Sequence, residues 1–210
     1  MCASYGNLSE EVLALKEAGA DILHLDVMDG RYVPNFGMGL QDIEYICKAA
    51  EMPCDVHLMI ENPGQYVEKF IALGAKIVYI HPNAEYHPLR TLQLIRSLGA
   101  KSGIAVNPGT AVSSVEPLLD HCDYVLAMGV NPGFAGQKYV ENVTETLKEL
   151  AALKQKYAFT LMLDGACSEE RVREMHKIGV DGFVLGTSAL FGKSEGYQEI
   201  LSRMRRENEE

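Results

Sequence analysis

Two hydrophobic periods alternate along the whole chain. Short apolar runs with many β-branched residues, at 22–28, 54–59, 77–81, 102–106, 124–128, 160–163 and 182–185, read as strands. Between them, apolar residues recur three and four apart, the mark of amphipathic helices. These helices are predicted at 7–18, 41–50, 63–74, 89–98, near 112–119, 143–157, 169–178 and 196–205. A junction recurs four times: Gly19-Ala20-Asp21, Gly74-Ala75-Lys76, Gly99-Ala100-Lys101 and Gly179-Val180-Asp181 each leave a helix and enter a strand. Glycine there can take the left-handed conformation that stops a helix at once and keeps the turn short. The charged stretch from Arg203 to Glu210 predicts a frayed end.

Strand–helix alternation predicts a parallel sheet with helices outside it. Eight such units make a (β/α)8 TIM barrel, whereas fewer favour an open doubly wound sheet. The barrel is expected here, as a single domain over residues 1–210. Strand one is its weak point, since only Met1-Cys2-Ala3-Ser4 precedes the first helix. Four residues at about 3.3 Å each barely make a barrel strand. Strand one is therefore expected to be truncated or partly missing, with Met1 an internal methionine and the genuine start upstream.

Composition narrows the function classes. With 47% hydrophobic and 23% charged residues the chain has an ordinary globular make-up. A net charge of -10 argues against nucleic acid, whose binders carry a basic face. No apolar run approaches the roughly 20 residues of a membrane span, and no signal-peptide pattern precedes the first helix, so the cytoplasm is the expected compartment. Cys2, Cys47, Cys54, Cys122 and Cys167 are scattered, odd in number and without a CxxC pair, which suits reduced thiols.

Chemistry-bearing residues gather at strand C-terminal ends, where barrel active sites lie. Strand 22–28 alternates so that His24, Asp26 and Met28 share one face. A histidine and a carboxylate there have a metal or a proton to handle. Later strands add His57, His81 and Asp164. Any one of these histidines alone reads as a satisfied core residue. Two histidines and two aspartates set in apolar strands, however, are costly to bury without a shared partner, and a divalent metal would satisfy all four. The loop Asn131-Pro132-Gly133-Phe134-Ala135-Gly136, with Gly165-Ala166 and Gly186-Thr187-Ser188, has small residues that let backbone N–H groups approach an anion. Together these loops imply a phosphorylated substrate.

Four stretches, His24-Leu25-Asp26-Val27-Met28-Asp29-Gly30 with Val33-Pro34-Asn35, Asp55-Val56-His57-Leu58-Met59, Asn131-Pro132-Gly133-Phe134-Ala135-Gly136-Gln137 and Leu163-Asp164-Gly165, resemble the ribulose-phosphate 3-epimerase family in order and spacing. The resemblance implies a (β/α)8 barrel that inverts C3 of a ketose phosphate, D-ribulose 5-phosphate to D-xylulose 5-phosphate, with one divalent metal ion (Zn, Fe(II), Mn or Co). It implies His24, Asp26, His57 and Asp164 as metal ligands, and Asp26 and Asp164 as acid/base residues on opposite faces of the sugar. His57, Met28, Met59 and Met128 would surround the reacting carbons, although adaptable core filling explains any single methionine equally well. Phosphate would meet the backbone at Gly133, Phe134, Ala135, Gly136, Gly165, Ala166, Gly186 and Thr187. His81 and Asn107 receive no role beyond a strand-end hydrogen bond. A homo-oligomer is also implied.

Several positions depart from the family pattern. A Ser-containing strand-one segment would lie upstream of Met1. Arg31 stands for the usual His, Gly129 for Thr or Ser, and Ala135 and Ala166 for Gly. Alanine keeps the backbone donor but asks for a negative φ or a tolerant site. Ala135, Cys167, Thr187, Leu190-Phe191 and His81-Pro82 look more like the D-allulose-6-phosphate 3-epimerase branch, so allulose 6-phosphate/fructose 6-phosphate epimerisation is the alternative. A non-catalytic phosphate-binding barrel is a remote third reading. Decarboxylases of similar barrels need an Asp-x-Lys-x-x-Asp run, which is absent.

Overall fold

The computed structural model describes residues 2–209. Seven strands, β1 (Leu23–Met28), β2 (Cys54–Met59), β3 (Ile77–Ile80), β4 (Lys101–Val106), β5 (Tyr124–Met128), β6 (Thr160–Asp164) and β7 (Gly182–Val184), lie in sequence order and pair in parallel with their neighbours. The helices are α1 (Leu8–Glu17), α2 (Leu40–Ala50), α3 (Val67–Ala72), α4 (Pro88–Ser97), α5 (Val112–Val115), α6 (Val143–Leu153), α7 (Glu169–Ile178) and α8 (Tyr197–Glu209). The predicted helix 63–74 is split into a 3-10 turn, Pro63–Gln65, and α3, because Tyr66 between them, at φ -122° and ψ -14°, leaves the helical conformation. The four junction glycines all have positive φ, from 82° at Gly99 to 118° at Gly74, as the turn demands.

Strand alternation divides the apolar residues between two cores. One face, including Leu25, Val56, Val78, Ile104, Val125 and Leu161, packs under the helices with Ile43, Ile95 and Leu147. The other face, with Ile77, Tyr79, Ala105, Leu126 and Met128, fills the interior. Each fully buried Leu or Ile contributes about 1.5–3 kcal/mol of transfer free energy, and most strand residues are near 0% exposed. The sheet curls far enough for His24 of β1 to come within 3.9 Å of Asp164 of β6.

Helices close the outer layer where the sheet does not close. Tyr197 of α8 donates to Glu11 of α1 at 2.8 Å, and Arg205 meets Asp21 at 2.9 Å. Among the described residues no ladder joins β7 to β1. Cys2–Ser4, on which a shortened first strand was expected, carry no strand, and Met1 lies outside the described residues. The expected fray at the C-terminus is corrected: α8 continues to Glu209, with Met204 buried and Arg203 paired to both Glu169 and Glu195. Glu210 lies outside the described residues.

Candidate active site

Pairing of β1 with β2 builds the centre of the site. The parallel register sets His24 beside Asp55, Asp26 beside His57 and Met28 beside Met59. Asp164 ends β6 and arrives from the opposite wall, its Oδ2 3.9 Å from His24 Nε2 and 3.7 Å from His57 Nδ1. Asp26 Oδ1 is 3.4 Å from each of the same two nitrogens. One donor atom from each of His24, Asp26, His57 and Asp164 lies within 4.8 Å of all the others. His24 Nε2 and His57 Nδ1 are buried and have no hydrogen-bond partner. An orphaned buried polar atom costs about 1–3 kcal/mol, which a cation at the common point would remove. Two imidazole nitrogens and two carboxylates fit such a cation, and the mixed set suits zinc, Fe(II), manganese or cobalt.

The same four side chains perturb one another's protonation. Burial disfavours charge on His24, but the carboxylates of Asp55 and Asp26 outweigh it and raise its pKa well above 6.5. Burial also works to raise Asp26, yet the His24 and His57 rings beside it hold it far below the ordinary carboxylate range. For Asp164 burial prevails, and its carboxyl is pushed above 3.8. Two facing carboxyl groups are thus driven in opposite senses, the usual basis for dividing acid from base.

A cavity of about 440 Å³ opens over Asp26 and Asp164. Met59 and Met128 line it near the carboxylates. Gly133, Phe134, Ala135 and Gly136 enter from the loop after β5, Gly165 and Ala166 from the loop after β6, and Gly186 and Thr187 from the segment after β7. His57 and Met28 stay outside the lining. His57 is fully buried, and Met28 packs with Val33 and Met59 beneath the loop that follows β1. His57 therefore reaches the site through one ring nitrogen.

Backbone contacts hold these loops close together. The Gly129 N–H donates to the Asp164 carbonyl at 2.6 Å, and a Cβ at Gly129 would stand 2.4 Å from the Gly165 carbonyl. That approach accounts for glycine at 129. The Asn35 side-chain amide donates to the Gly133 carbonyl at 2.7 Å, tying the loop after β1 to the loop after β5. Ala166 has φ 54°, in the left-handed region and not the ordinary negative-φ one.

Asp55 is the residue that sequence reasoning missed. It is 2% exposed, and its Oδ1 lies 2.7 Å from His24 Nδ1, behind the nitrogen that faces the cluster. A carboxylate behind a ligating imidazole fixes the tautomer and raises basicity. The available signal was its spacing two residues before His57, on the same strand face.

The family model described as "Ribulose-phosphate 3 epimerase family" matches residues 1–191. The chain belongs to the ribulose-phosphate 3-epimerase family. It is 44% identical to the ribulose-phosphate 3-epimerase of Aquifex aeolicus over 190 residues, covering 90% of this chain and 85% of the relative. The Bacillus subtilis ribulose-phosphate 3-epimerase is 38% identical, with 95% and 93% covered. Among solved structures, 3-keto-L-gulonate-6-phosphate decarboxylase from Vibrio cholerae superposes with a TM-score of 0.73 at 13% identity, covering 96% of this chain and 92% of that one. A mutant tryptophan synthase alpha-subunit from Pyrococcus furiosus gives a TM-score of 0.69 at 16% identity, with 96% and 90% covered. These two likenesses concern the fold alone. In this epimerase-family chain no helix among the described residues is long and apolar enough to cross a membrane.

Proposed function

We propose that the protein is a divalent-metal-dependent epimerase that inverts C3 of a ketose phosphate, with D-ribulose 5-phosphate and D-xylulose 5-phosphate as its pair. The carrying observation is the convergence of His24, Asp26, His57 and Asp164, with Asp26 and Asp164 approaching one cavity from different strands. His24 Nε2, His57 Nδ1 and one oxygen from each aspartate would hold the ion. When bound, the ion supplies positive charge that stabilises the enediolate oxygens of the substrate.

The remaining work falls to the chain. C3 carries an acidic proton because it adjoins the C2 ketone. Asp26, a carboxylate facing the cavity from β1, is suited to remove that proton. Asp164, which reaches the cavity from β6, is suited to deliver a proton to the other face, which inverts the centre. The reverse reaction exchanges these roles. Met59 and Met128 give the reacting carbons an apolar, adaptable wall. Backbone N–H groups around Gly133, Ala135, Gly136, Gly165, Ala166 and Gly186 would receive the phosphate, with Phe134 and Thr187 beside them.

The test is C3 proton exchange in D2O, with metal-reconstituted protein and either ribulose 5-phosphate or allulose 6-phosphate. Deuterium entering C3 of the pentulose at the higher kcat/KM supports the reading. Preference for the hexulose, toward which Ala135 and Thr187 point, would reassign the substrate but keep the chemistry. Asp26→Asn and Asp164→Asn should each lower kcat by at least about 100-fold, the low end for positioned acid–base groups. Net C3 inversion that survives either substitution would remove the two-aspartate scheme.

A further inference from the structure

Behind His57 lies a polar chain that the reaction scheme does not use, buried at His57 and His81 and reaching the surface at Asn83. His57 turns Nδ1 to Asp26 and Asp164, while its Nε2 lies 2.8 Å from Nε2 of His81. Both histidines are fully buried, with ring centroids 5.0 Å apart and planes 29° apart. His81 follows directly on β3, and its side chain also engages Asn107, the residue after β4. Asn107 Nδ2 donates to the Tyr32 hydroxyl at 2.8 Å. That hydroxyl donates to Asn83 Oδ1 at 3.0 Å, and the Tyr32 ring lies 4.8 Å from the His81 ring.

These contacts admit one consistent proton order. Two facing imidazole nitrogens share a hydrogen bond only if one bears the proton and the other the lone pair. A cation on His57 Nδ1 leaves the His57 proton on Nε2, so His81 Nε2 must accept and the His81 proton must sit on Nδ1. Asn107 has committed its amide hydrogen to Tyr32, which leaves Oδ1 to receive from His81. His81 Nδ1 and Asn107 Oδ1 are both buried and without a hydrogen-bond partner, so the proton of one and the lone pair of the other each need what the other offers. The run therefore donates in one direction, from His57 through His81, Asn107 and Tyr32 to Asn83.

We propose that His81 is a positioning residue of the cation site: as a neutral acceptor held by Asn107 and Tyr32, it locks His57 in the tautomer that presents Nδ1 to the ion. This rests on the metal reading above. It also makes the two histidine ligands unequal, since His24 is backed by the carboxylate of Asp55 and His57 by an uncharged ring. Loss of such an outer partner costs about 10- to 100-fold in metal affinity.

The experiment titrates metal-free wild type, His81→Gln and His81→Leu with Co2+ alone. Affinity is read by chelator competition, and ligand geometry by the visible absorption of the bound ion. Gln can place an acceptor oxygen near the position of His81 Nε2, and Leu cannot. His81→Leu should bind Co2+ about 10- to 100-fold more weakly with an altered spectrum. His81→Gln should stay within about threefold of wild type, because the acceptor is restored. Equal affinity in wild type and a folded His81→Leu protein overturns the proposal while leaving the metal reading intact, as does a Gln variant no better than Leu. Wild type that binds no Co2+ overturns both. A second readout needs no variant: 15N NMR of the Zn2+-loaded wild type should find the His57 proton on Nε2 and the His81 proton on Nδ1. A proton on His81 Nε2 refutes the assignment even if His81→Leu fails to fold.

Discussion

Ala166 carries a conformational cost at the mouth of the site. Its φ of 54° follows Gly165 at 106°, so two consecutive residues leave the ordinary region and turn the backbone toward the cavity. The left-handed conformation costs a non-glycine residue about 1–2 kcal/mol. Glycine avoids that strain but adds about 0.4–1 kcal/mol of unfolded-chain entropy. Ala166→Gly is therefore expected to stabilise the protein by up to about 1 kcal/mol, or about 2–4 °C in Tm for a chain of this length. Its N–H stays in place, so KM for the ketose phosphate should not move. Thermal denaturation decides the matter, and a lower Tm in the variant would mean that Ala166 is not strained. The residue type announced a small backbone donor at this position but not its φ, because φ here is imposed by the Gly129–Gly165 contact from a different loop.

At the scale of elements, strand alternation and helix-stopping glycines carried most of what could be read in advance. Runs bounded by helix-stopping glycines gave each strand its place, and period-two alternation put His24, Asp26 and Met28 on one face before any pairing was known. The partnership of His24 with Asp55, and of His57 with His81, depends on which strands lie side by side and in what register, and a lone sequence does not contain that information. Asp123 shows the same dependence at the opposite end of the sheet. Its carboxylate, between β4 and β5, accepts from the Ser102 N–H at 2.9 Å, the Ser102 hydroxyl at 3.2 Å and Arg96 Nε at 3.3 Å. Burial would raise its pKa, but the Ser102 N–H, Arg96 and Lys101 prevail and hold it below 3.8. A depressed carboxylate gives stability that is present above the unfolded value and lost as pH falls through the folded one. Asp123→Asn should cost about 1 kcal/mol near pH 7, and the gap from wild type should shrink as pH falls below 3.8. Urea unfolding at both pH values measures the gap, and a gap that does not change with pH would argue against this role for the charge.

For the whole molecule, α8 meets α1 while, among the described residues, the sheet remains open between β7 and β1, and the cavity of about 440 Å³ is bordered by both edges. Residues from β1, β2 and β6 meet at the cation site, so an ion held there ties together strands from both sides of that opening. Binding to the folded state alone stabilises by about 2.7 kcal/mol at 100 times Kd, or about 5–10 °C for a chain of this length. The pH dependence follows from the ligands. His24 holds its proton well above 6.5, and that proton must leave before Nε2 can bind the ion. Asp26 is already ionised and releases nothing, and burial pushes the Asp164 carboxyl above 3.8. In the metal-free protein the raised His24 contributes stability below its unfolded value near 6.5, and that contribution is lost as pH rises through the folded value. Metal affinity moves the other way, growing as the competing proton leaves. The Tm gain from a fixed Zn2+ or Mn2+ concentration should therefore be larger near pH 8 than near pH 6, with lower metal-free stability and tighter binding both widening it. Differential scanning fluorimetry with and without EDTA at the two pH values makes the comparison, and a gain that is equal or larger at the lower pH would show that His24 carries no displaceable proton.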